Sequence, residues 1–427
     1  MEKYAVKKLN KKNNINASVP GSKSITNRAL MLAAMSDGIC TLNGVLFSSD
    51  SRAFLDCLIS LGFSVQIDEE SAKVVIKGEN GRIPNRKATI NVQSAGTAAR
   101  FMTVFLAVAG GDYTLQSSEQ MKKRPMSELL GSLTAKGVEI KCLEEEGHFP
   151  FEIHSKGIKS GNIKIDTTTS SQYASALLMA SVMNGMNVEL TGSRVDGAYI
   201  KITTNMLKQF DIDFDREGNT YIIKKQSYIC NVYNVEPDMS AACYFYAMAA
   251  LLGISVTVPG IHENSLQGDV EFIHVLEKMG CTCEDTPKGI CVTGPKDGKL
   301  KGVTVNMHSF SDQAITLAAI APFADAPTTI TGIAHIRLQE SNRIAAICTE
   351  LARMGIRCEE GKDSITIWPG SPKPALIQTY DDHRMAMGFS LVGLRAEKIV
   401  IHDPMCCKKT FEKYFEVLDE VIEKMQM

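Results

Sequence analysis

The chain has 427 residues, of which 44% are hydrophobic and 22% charged, and its 46 Lys and Arg against 48 Asp and Glu leave a formal net charge of −2. This composition is typical of a globular protein of roughly two to three domains, and it excludes intrinsic disorder, collagen-like repeats and small disulfide scaffolds. The near-neutral balance favours neither a nucleic-acid partner nor a membrane surface, so any anion-binding site must be local.

The ends of the chain and its cysteines indicate a cytoplasmic protein. The N-terminal segment MEKYAVKKLNKKNNINASVPG contains no apolar core of signal-peptide length. The most apolar stretch, from Ala241 to Leu252, is shorter than the roughly 20 residues that a membrane-spanning helix needs. The twelve cysteines are scattered without the paired spacing of a zinc site, so we expect reduced thiols and no metal.

One pattern recurs six times along the chain. Each instance has a short polar cluster, then a run rich in Ala, Leu and Met that predicts a helix, then a β-branched run that predicts a strand. The predicted helices span residues 22–35, 94–109, 169–183, 238–252, 311–324 and 381–394. Marker residues near their starts, spaced by 73, 75, 69, 72 and 70 residues, are Lys23, Gly96, Ser171, Ser240, Asp312 and Asp382. The regular interval indicates one structural unit repeated six times.

A second, amphipathic helix follows in most units, and a glycine near its end predicts a left-handed C-cap. These helices are predicted over residues 53–63, 128–138, 202–212, 270–280 and 346–356. Two alternating strands come next, and one further strand leads into the following unit. The prediction is therefore an α/β protein of six βαβαββ units. Prolines and glycines interrupt the pattern twice, which predicts one domain of residues 22–235 and another of residues 1–21 plus 236–427.

The helix starts carry the residues that point to chemistry. A helix N-terminus offers unpaired N–H groups and a partial positive charge, both of which favour anions. Cations at these starts and in the turns downstream are Lys23, Arg28, Arg100, Arg124, Arg343, His383, Arg384 and Lys409. A single polar helix start is usually only a cap. Because all six occur together, they predict a site for two or more phosphates or carboxylates.

Two carboxylates accompany these cations. Asp312 opens the fifth predicted helix, and Glu340 precedes Arg343 by three residues, a spacing that places both on one helical face. A carboxylate beside cations stays ionised and can act as a general base, and a lysine in a crowded cationic site loses its proton more readily. We interpret Asp312 and Glu340 as functional; the alternative for Glu340 is an exposed ion pair of little energetic worth.

Several stretches match, in order and spacing, the motifs of one enzyme family. They are VPGSKSITNRALMLAA, SAGTAAR, KKRPM, TTSSQYASALLMA, SDQAITLA, IRLQESNR, YDDHRMAM and KKTFEKYF. On these residues the chain resembles the 5-enolpyruvylshikimate-3-phosphate synthase family over essentially its whole length. The resemblance implies two domains of three βαβαββ units each, an active site in the interdomain cleft, and a first strand that packs in the C-terminal domain.

The resemblance also implies a reaction. The 5-hydroxyl of shikimate 3-phosphate attacks C2 of phosphoenolpyruvate, a tetrahedral intermediate forms, and phosphate leaves to give the enolpyruvyl ether. Such a transferase belongs to the shikimate pathway, which leads to chorismate and the aromatic amino acids. It needs no metal and no organic cofactor, and we expect a monomer whose partners are these two small molecules, without nucleic acid or membrane.

The roles of individual residues follow from the resemblance by matched position. It implies that Asp312 is the base on the 5-hydroxyl and that Glu340 with Lys23 moves the proton at the methylene carbon. The residues expected to bind phosphoenolpyruvate are Lys23, Gly96, Arg124, Gln172, Arg343, Arg384 and Lys409. Those expected to bind shikimate 3-phosphate are Lys23, Ser24, Arg28, Ser170, Ser171, Gln172, Tyr199, Asp312 and Gln339.

Several positions depart from the common pattern of the family, among them Ser94, His335 and Phe101, and two further ones bear on the binding of shikimate 3-phosphate. Gln339 stands where the family often has a lysine that contacts shikimate 3-phosphate, which removes a charge and adds an acceptor. Asp196 stands where a serine is usual, and its charge would repel a phosphate. The sequence predicts that Ser193 replaces this contact or that the contact is missing.

The nearest alternative is the sister enolpyruvyl transferase that acts on UDP-N-acetylglucosamine. That enzyme typically has Lys-Asn where this chain has Lys23-Ser24, and a cysteine near the turn at 122–125. No cysteine lies between Cys57 and Cys142, which argues against it. A more distant alternative is an RNA 3′-terminal phosphate cyclase, which needs a catalytic histidine and ATP. Another is a non-enzymatic anion-binding protein, and the carboxylates Asp312 and Glu340 argue against it because anion binding requires only the cations.

Overall fold

The computed structural model describes residues 2–9 and 13–426, and the chain divides into two units. The N-terminal unit is Gly21–Val235, and the C-terminal unit combines the described residues up to Pro20 with those from Glu236 onward. Gly21 thus groups with the N-terminal unit, one residue earlier than the boundary predicted from the sequence.

The described residues form helices and strands in a recurring order. The strands are β1 Lys3–Ala5, β2 Ile15–Asn16, β3 Asp37–Asn43, β4 Ser64–Asp68, β5 Lys73–Glu79, β6 Lys87–Asn91, β7 Gly111–Gln116, β8 Glu139–Cys142, β9 Phe151–Ser155, β10 Gly161–Asp166, β11 Met186–Thr191, β12 Asp215–Glu217, β13 Thr220–Ile222, β14 Val232–Asn234, β15 Ser255–Thr257, β16 Thr282–Thr286, β17 Gly289–Thr293, β18 Thr304–Asn306, β19 Thr328–Thr331, β20 Cys358–Glu360, β21 Ser364–Ile367, β22 Ala375–Ile377 and β23 Ile399–His402. The α-helices are α1 Lys23–Met35, α2 Ser49–Ser60, α3 Gly96–Ala109, α4 Glu119–Lys122, α5 Ser127–Thr134, α6 Ser171–Ser181, α7 Ala198–Gln209, α8 Met239–Leu252, α9 Glu271–Lys278, α10 Ala314–Ile320, α11 Arg343–Arg353, α12 His383–Gly393 and α13 Tyr414–Gln426. Short 3₁₀ helices cover Gly268–Val270, Ser311–Gln313, Ala321–Phe323, Ala334–Leu338 and Pro404–Lys409.

Five four-stranded sheets follow the predicted plan. In the second repeat, for example, β6 leads through α3 into the parallel strand β7, and α5 then leads into the antiparallel pair β8 and β9. The strand order is β6-β7-β9-β8. The same order of leading, parallel, last and third strand recurs as β14-β3-β5-β4, β10-β11-β13-β12, β2-β15-β17-β16 and β18-β19-β21-β20. The predicted βαβαββ repeat is confirmed for these five sheets.

The sixth sheet and two leading strands draw on distant parts of the chain. Within residues 2–9 and 13–426, the sixth sheet has three strands in the order β1-β23-β22, and β1 pairs with β23 in antiparallel fashion. The last repeat contributes the parallel pair β22 and β23, and β1 takes the place of one of the two antiparallel strands of a full βαβαββ unit. The leading strand of the fourth sheet is β2, whereas β14, just before the fourth repeat, pairs with β3 of the first. The N-terminal segment thus contributes two strands to the C-terminal unit.

The two kinds of helix differ in burial, and their sequences explain the difference. Of α8, every residue except Ser240 is buried, and α3 is buried except for Ala109. A helix that is apolar on all sides belongs inside a protein, whereas the second helices bury one face only. The predicted helix 311–324 is shorter than expected, because 3₁₀ turns flank α10 and Pro322, which lacks an N–H, opens the second of them.

The predicted left-handed helix ends are confirmed. The glycines that follow four of the second helices have φ between +75° and +102°, and they are Gly62, Gly137, Gly280 and Gly355. Glycine adopts this conformation without the cost that a Cβ imposes. The exception is α7, which has no glycine at its end and is followed by Asp211 at φ +61°.

Three general features bear on the site. All twelve cysteines are free thiols. Among residues 2–9 and 13–426, no group of three or more His, Cys, Asp and Glu side chains is placed to hold a metal ion. No helix in these same ranges combines the length and the apolar character that crossing a membrane requires.

Candidate active site

In the N-terminal unit, hydrogen bonds join the first helices of the three repeats near their starts. Asn27 Nδ2 of α1 donates to Thr97 Oγ1 of α3 at 2.6 Å. Arg28 Nη2 of α1 donates to Ser175 Oγ of α6 at 3.0 Å. The predicted helix starts of this unit are therefore brought together by buried polar side chains.

Arg28 is buried among neutral groups. Its side chain donates to Thr203 Oγ1 at 2.8 Å, to the carbonyl of Ser24 at 2.8 Å and to the carbonyl of Tyr199 at 3.1 Å, besides Ser175. It is 1% exposed, and burial lowers its pKa to about 10. No carboxylate pairs with it in the described ranges, so a buried positive charge here lacks a negative partner from the protein, which favours an anionic ligand.

Lys23 and Ser24 form the first turn of α1. Lys23 Nζ lies 3.6 Å from Asp50 Oδ2, and both side chains are mostly buried. The backbone of Ser24 accepts from Arg28, which ties the first turn to the interior. Lys23 therefore stands at a helix N-terminus with a carboxylate beside it, an arrangement that allows proton exchange as well as anion binding.

Gly96 and Arg124 approach each other closely. A Cβ built on Gly96 would lie 2.7 Å from Arg124 Nη1, which is closer than side-chain contacts allow. Arg100 donates to the carbonyls of Gly96 and Pro125, at 3.3 and 3.4 Å, and thereby holds the turn of Arg124 against α3. The guanidinium of Arg124 makes no ion pair or hydrogen bond within the described part of the chain, so its donors are available to an anion.

The start of α6 adds polar groups. Ser170 caps the helix and accepts from the backbone N–H of Gln172 at 3.3 Å. The buried Oε1 of Gln172 has no hydrogen-bond partner in the described ranges. The ring of Tyr199 lies 6.0 Å from the guanidinium carbon of Arg28. Ser171, Gln172 and Tyr199 therefore belong to the same unit as Arg28, as the sequence predicted for one ligand.

Asp196, the unexpected carboxylate near these residues, is paired. Its Oδ1 accepts from Arg216 Nη2 at 2.5 Å, and this hydrogen bond raises the pKa of Arg216. Both side chains are partly exposed. Sequence reasoning weighed the repulsion that Asp196 would exert on a phosphate, but it did not anticipate the cation that balances it.

In the C-terminal unit, Arg343 is the centre of an ion network. Its Nε and Nη2 donate to Asp382, at 2.8 and 3.3 Å. Its Nη2 also donates to Glu340 Oε2 at 2.8 Å, and its Nη1 donates to Asp312 Oδ1 at 3.0 Å and to Gln339 Oε1. A guanidinium has five N–H donors. All five of them are therefore engaged by protein oxygens.

Asp312 is shared between two arginines. Besides Arg343, Arg384 Nη2 donates to its Oδ2 at 2.9 Å. Burial alone would lower the pKa of Arg343. The carboxylates of Asp382, Glu340 and Asp312 outweigh burial and raise this pKa above its usual value. We call Asp312, Glu340, Arg343, Asp382 and Arg384 the arginine–carboxylate cluster. Four of these residues were predicted site residues, and the structure places them in mutual contact.

A strained turn presents Asp382 to the cluster. Tyr380 and Asp381 have φ of +56° and +53°, a conformation that residues other than glycine rarely adopt. Tyr380 OH donates to the buried Glu350 at 2.7 Å, and Lys409 Nζ donates to Asp381 at 3.1 and 3.2 Å. Lys409, a predicted substrate ligand, is thus anchored to the turn that precedes α12.

Sequence reasoning missed the structural role of Asp382. It marked the residue as the start of a repeat, yet Asp382 is fully buried, caps α12 through the N–H of Arg384, and binds Arg343 with both oxygens. The motif YDDHRMAM, which contains it, was the available signal. Asp269, a buried carboxylate before α9, had no such signal.

Comparisons with known proteins identify the family of the chain. The sequence profile of "EPSP synthase (3-phosphoshikimate 1-carboxyvinyltransferase)" matches residues 9–418. A 3-phosphoshikimate 1-carboxyvinyltransferase of Nostoc punctiforme is 40% identical over 99% of this chain and 100% of its own length. A chloroplastic 3-phosphoshikimate 1-carboxyvinyltransferase of Arabidopsis thaliana is 39% identical over 94% of this chain and 81% of its own length. The solved EPSP synthase of Acinetobacter baumannii superposes with a TM-score of 0.81 at 25% identity, over 98% of both chains.

Proposed function

Because the chain belongs to the EPSP synthase family, the 3-phosphoshikimate 1-carboxyvinyltransferases, we propose how its residues carry out the family's reaction. The enzyme transfers the enolpyruvyl group of phosphoenolpyruvate to shikimate 3-phosphate in the shikimate pathway, toward chorismate and the aromatic amino acids. The reading as a UDP-N-acetylglucosamine transferase is not favoured. The roles of single residues, below, are proposals.

Asp312 is the proposed base on the 5-hydroxyl. Addition needs a group that takes the hydroxyl proton while oxygen attacks C2, and a second group that donates a proton to the methylene carbon. Two arginines within 3.0 Å of Asp312 favour its ionised form, the form that accepts a proton.

Glu340 and Lys23 are the proposed proton carriers at the methylene carbon. Since every donor of Arg343 is engaged, an incoming anion must replace one of its acceptors. Asp382 is fully buried, whereas the Glu340 side chain is 21% exposed and Gln339 is half-buried, so these two are the acceptors that a substrate carboxylate reaches first. A carboxylate released from an arginine binds a proton more readily, which suits Glu340 for proton transfer.

The arginines and Lys409 are the proposed clamp for phosphoenolpyruvate. Arg124, Arg343 and Arg384 present planar guanidinium groups that match carboxylate and phosphate oxygens in pairs. Gly96 leaves the space that Arg124 occupies, and the amide N–H groups of Gln172 are the proposed donors to the same ligand.

Shikimate 3-phosphate is proposed to bind the N-terminal unit. Arg28, with its uncompensated charge, suits the carboxylate or phosphate, and Lys23 and Ser24 lie in the same first turn of α1. Ser170, Ser171, Gln172 and Tyr199 supply neutral hydrogen-bonding groups. Gln339 completes the proposed ligand set, although its amide oxygen accepts from Arg343.

The observation that carries this proposal is Asp312 held between two arginines with Glu340 on the shared arginine Arg343. The test is phosphate release from phosphoenolpyruvate, with shikimate 3-phosphate or UDP-N-acetylglucosamine as acceptor. We expect turnover with shikimate 3-phosphate and none with the sugar nucleotide. Turnover with the sugar nucleotide alone would overturn the assignment of the acceptor.

That the enzyme is a cytoplasmic monomer is proposed from its sequence alone. The twelve scattered cysteines, without the paired spacing of a zinc site, are typical of reduced thiols and support a reducing compartment. Light scattering on the purified protein, with and without both substrates, measures the mass directly. A mass near 46.6 kDa is expected, and about twice this value would contradict the monomer.

A further inference from the structure

A fourth carboxylate, Asp269, lies behind the pair formed by Asp312 and Arg384. It belongs to the 3₁₀ turn Gly268–Val270 that precedes α9, and it is 7% exposed. None of the roles proposed above uses it. A carboxylate that is buried without a direct ion pair is costly, so its contacts require an explanation.

Asp269 fixes a hydroxyl that touches Arg384. Its Oδ2 accepts a hydrogen bond from Ser240 Oγ, and Ser240 Oγ lies 3.5 Å from Arg384 Nη2. A hydroxyl has one proton and two lone pairs. Because Ser240 gives its proton to Asp269, it presents only lone pairs to Arg384, and the contact with the guanidinium is attractive.

Asp269 also fixes the residue next to Asp312 in the chain. Gln313 Nε2 donates to Asp269 Oδ2 at 2.8 Å, and Gln313 Oε1 accepts from Thr316 Oγ1 at 2.9 Å. Gln313 is fully buried, so both ends of its amide are held in one orientation. Asp269 is therefore linked to Asp312 in two ways. One link is Gln313, the next residue in the chain after Asp312, and the other is the pair of contacts from Ser240 to Arg384 and from Arg384 to Asp312.

We propose that Asp269 is a positioning residue for the reaction: through Ser240 and Gln313 it holds Arg384 and Asp312 in their paired geometry, and its charge state sets how firmly it does so. Asp269 itself touches neither substrate. When Asp269 is neutral, the Ser240 hydroxyl can rotate its proton toward Arg384. The positive charge of the guanidinium then repels the Ser240 hydroxyl. The proposal rests on the role proposed for Asp312 above.

The charged groups around Asp269 make this charge state variable near neutral pH. Burial raises the pKa of Asp269 to about 6, and the charge of Asp312 adds to the increase. Arg384 and the hydrogen bonds from Ser240 and Gln313 oppose it. The remaining titratable neighbour on α8, the Cys243 thiol, has its pKa raised by burial and stays neutral. A pH change from 7.5 to 5 therefore favours the neutral form of Asp269.

The test compares full-length wild-type protein with Asp269→Asn, which keeps the volume and removes the charge. We expect kcat for phosphate release to fall about tenfold at pH 7.5, a typical coupling between contacting groups. Because the neutral asparagine mimics protonated Asp269, the ratio of wild-type to variant kcat should shrink toward 1 at pH 5. A ratio that is the same at both pH values overturns the proposal, since a merely structural defect does not follow this titration.

A double mutant separates action through Asp312 from independent damage. In an Asp312→Asn background, adding Asp269→Asn should change the single-turnover rate constant by less than about twofold. The reason is that the Asp312 carboxylate, through which Asp269 is proposed to act, is already absent. A second full tenfold loss contradicts the proposal. Asp285→Asn is the matched control, because Asp285 is a carboxylate of the same unit whose partner is His262, and its kcat should equal that of wild type.

Ser240→Ala keeps the proposal testable if Asp269→Asn does not fold. It leaves both carboxylates in place and removes the hydroxyl that donates to Asp269 and contacts Arg384, so it should reproduce part of the kcat loss at pH 7.5. Wild-type kcat in Ser240→Ala overturns the route through Arg384. Wild-type turnover with shikimate 3-phosphate is measured first, so that a failed function and a failed role of Asp269 give different results.

Discussion

The two units share one architecture and differ in what surrounds their buried arginines. Each has three repeats, and in each the first helices of those repeats are linked by polar side chains near their starts. In the N-terminal unit, Arg28 is surrounded by hydroxyls and carbonyls. In the C-terminal unit, Arg343 is surrounded by three carboxylates and an amide.

We expect this difference to suit the two arginines to different roles. Burial without a carboxylate lowers the pKa of Arg28 to about 10, whereas carboxylates raise that of Arg343. An arginine without a counterion binds an external anion at little cost in broken ion pairs. An arginine with several carboxylates keeps them ionised and aligned, which suits proton transfer. The proposed roles follow this difference in part: Arg28 is a proposed ligand of shikimate 3-phosphate, and Asp312, beside Arg343, is the proposed base.

The largest effect is expected from the proposed base. Asp312→Asn should lower kcat by about 10³-fold, within the range of general-base contributions, and change either KM by less than about threefold. The base acts in the transition state, whereas both substrates keep their other contacts. Initial rates of phosphate release at varied substrate concentrations measure both quantities. Unchanged turnover would reject this role and the contrast between the units.

The next effect is on stability, and it compares the two buried arginines directly. Arg343→Met leaves carboxylates without their partner and should cost about 3–5 kcal/mol of unfolding free energy. Arg28→Met leaves only hydroxyls and carbonyls, and Thr203 already bonds Ser175 at 2.8 Å, so about 1 kcal/mol is expected. Urea denaturation followed by circular dichroism measures both variants. Fluorescence of Trp368, the single tryptophan, reports on the C-terminal unit.

The stability of Arg343→Met should also depend on pH. Carboxylates that repel one another in the folded state hold protons more tightly there than in the unfolded chain. Folding then takes up protons, so the variant loses stability as pH rises, and its deficit should be larger at pH 8 than at pH 5. Equal losses for the two arginine variants, or a deficit independent of pH, would contradict the proposed difference between the units.

A smaller effect tests how the N-terminal unit is shaped for an anion. Gly96→Ala places a Cβ 2.7 Å from Arg124 Nη1, so the guanidinium must move. We expect KM for phosphoenolpyruvate to rise about tenfold, the loss of one charge-assisted contact, with little change in stability.

The matched control for Gly96→Ala is Gly131→Ala in α5. A Cβ on Gly131 meets nothing within 4 Å, so this variant should keep its KM and gain about 0.5–1 kcal/mol of stability from helix propensity. An unchanged KM in Gly96→Ala would show that Arg124 does not bind this substrate.

The smallest effect concerns the exposed pair of Asp196 and Arg216. Arg216→Ala leaves Asp196 unbalanced and should raise KM for shikimate 3-phosphate about two- to fivefold, as expected of exposed charges. Adding Asp196→Ser should restore it, and both effects should shrink in 0.5 M salt because exposed charges are screened. A rise in KM that the second substitution does not reverse would mean that Arg216 acts otherwise.

Much of the fold could be predicted because it is local. Helix and strand periods and the glycine helix ends depend on neighbours within one or two turns. The repeat interval near 71 residues follows from counting these local patterns along the chain. The family resemblance implied that the first strand packs in the C-terminal domain, but the residues of the N-terminal segment did not themselves predict the partners of its two strands. β1 and β2 are short, and their partners β23 and β15 are hundreds of residues away, so nothing in their own sequence specifies the pairing.

The sequence by itself determined the six repeats, their helix starts and the identity of the charged residues at them. Only the tertiary structure decided which charges meet. Arg28 and Arg343 look alike in sequence, each an arginine near a helix start, yet one has no carboxylate beside it and the other has three. The physical reason is that periodicity reports where a residue is buried, whereas the energy of a buried charge depends on groups that folding brings from distant segments.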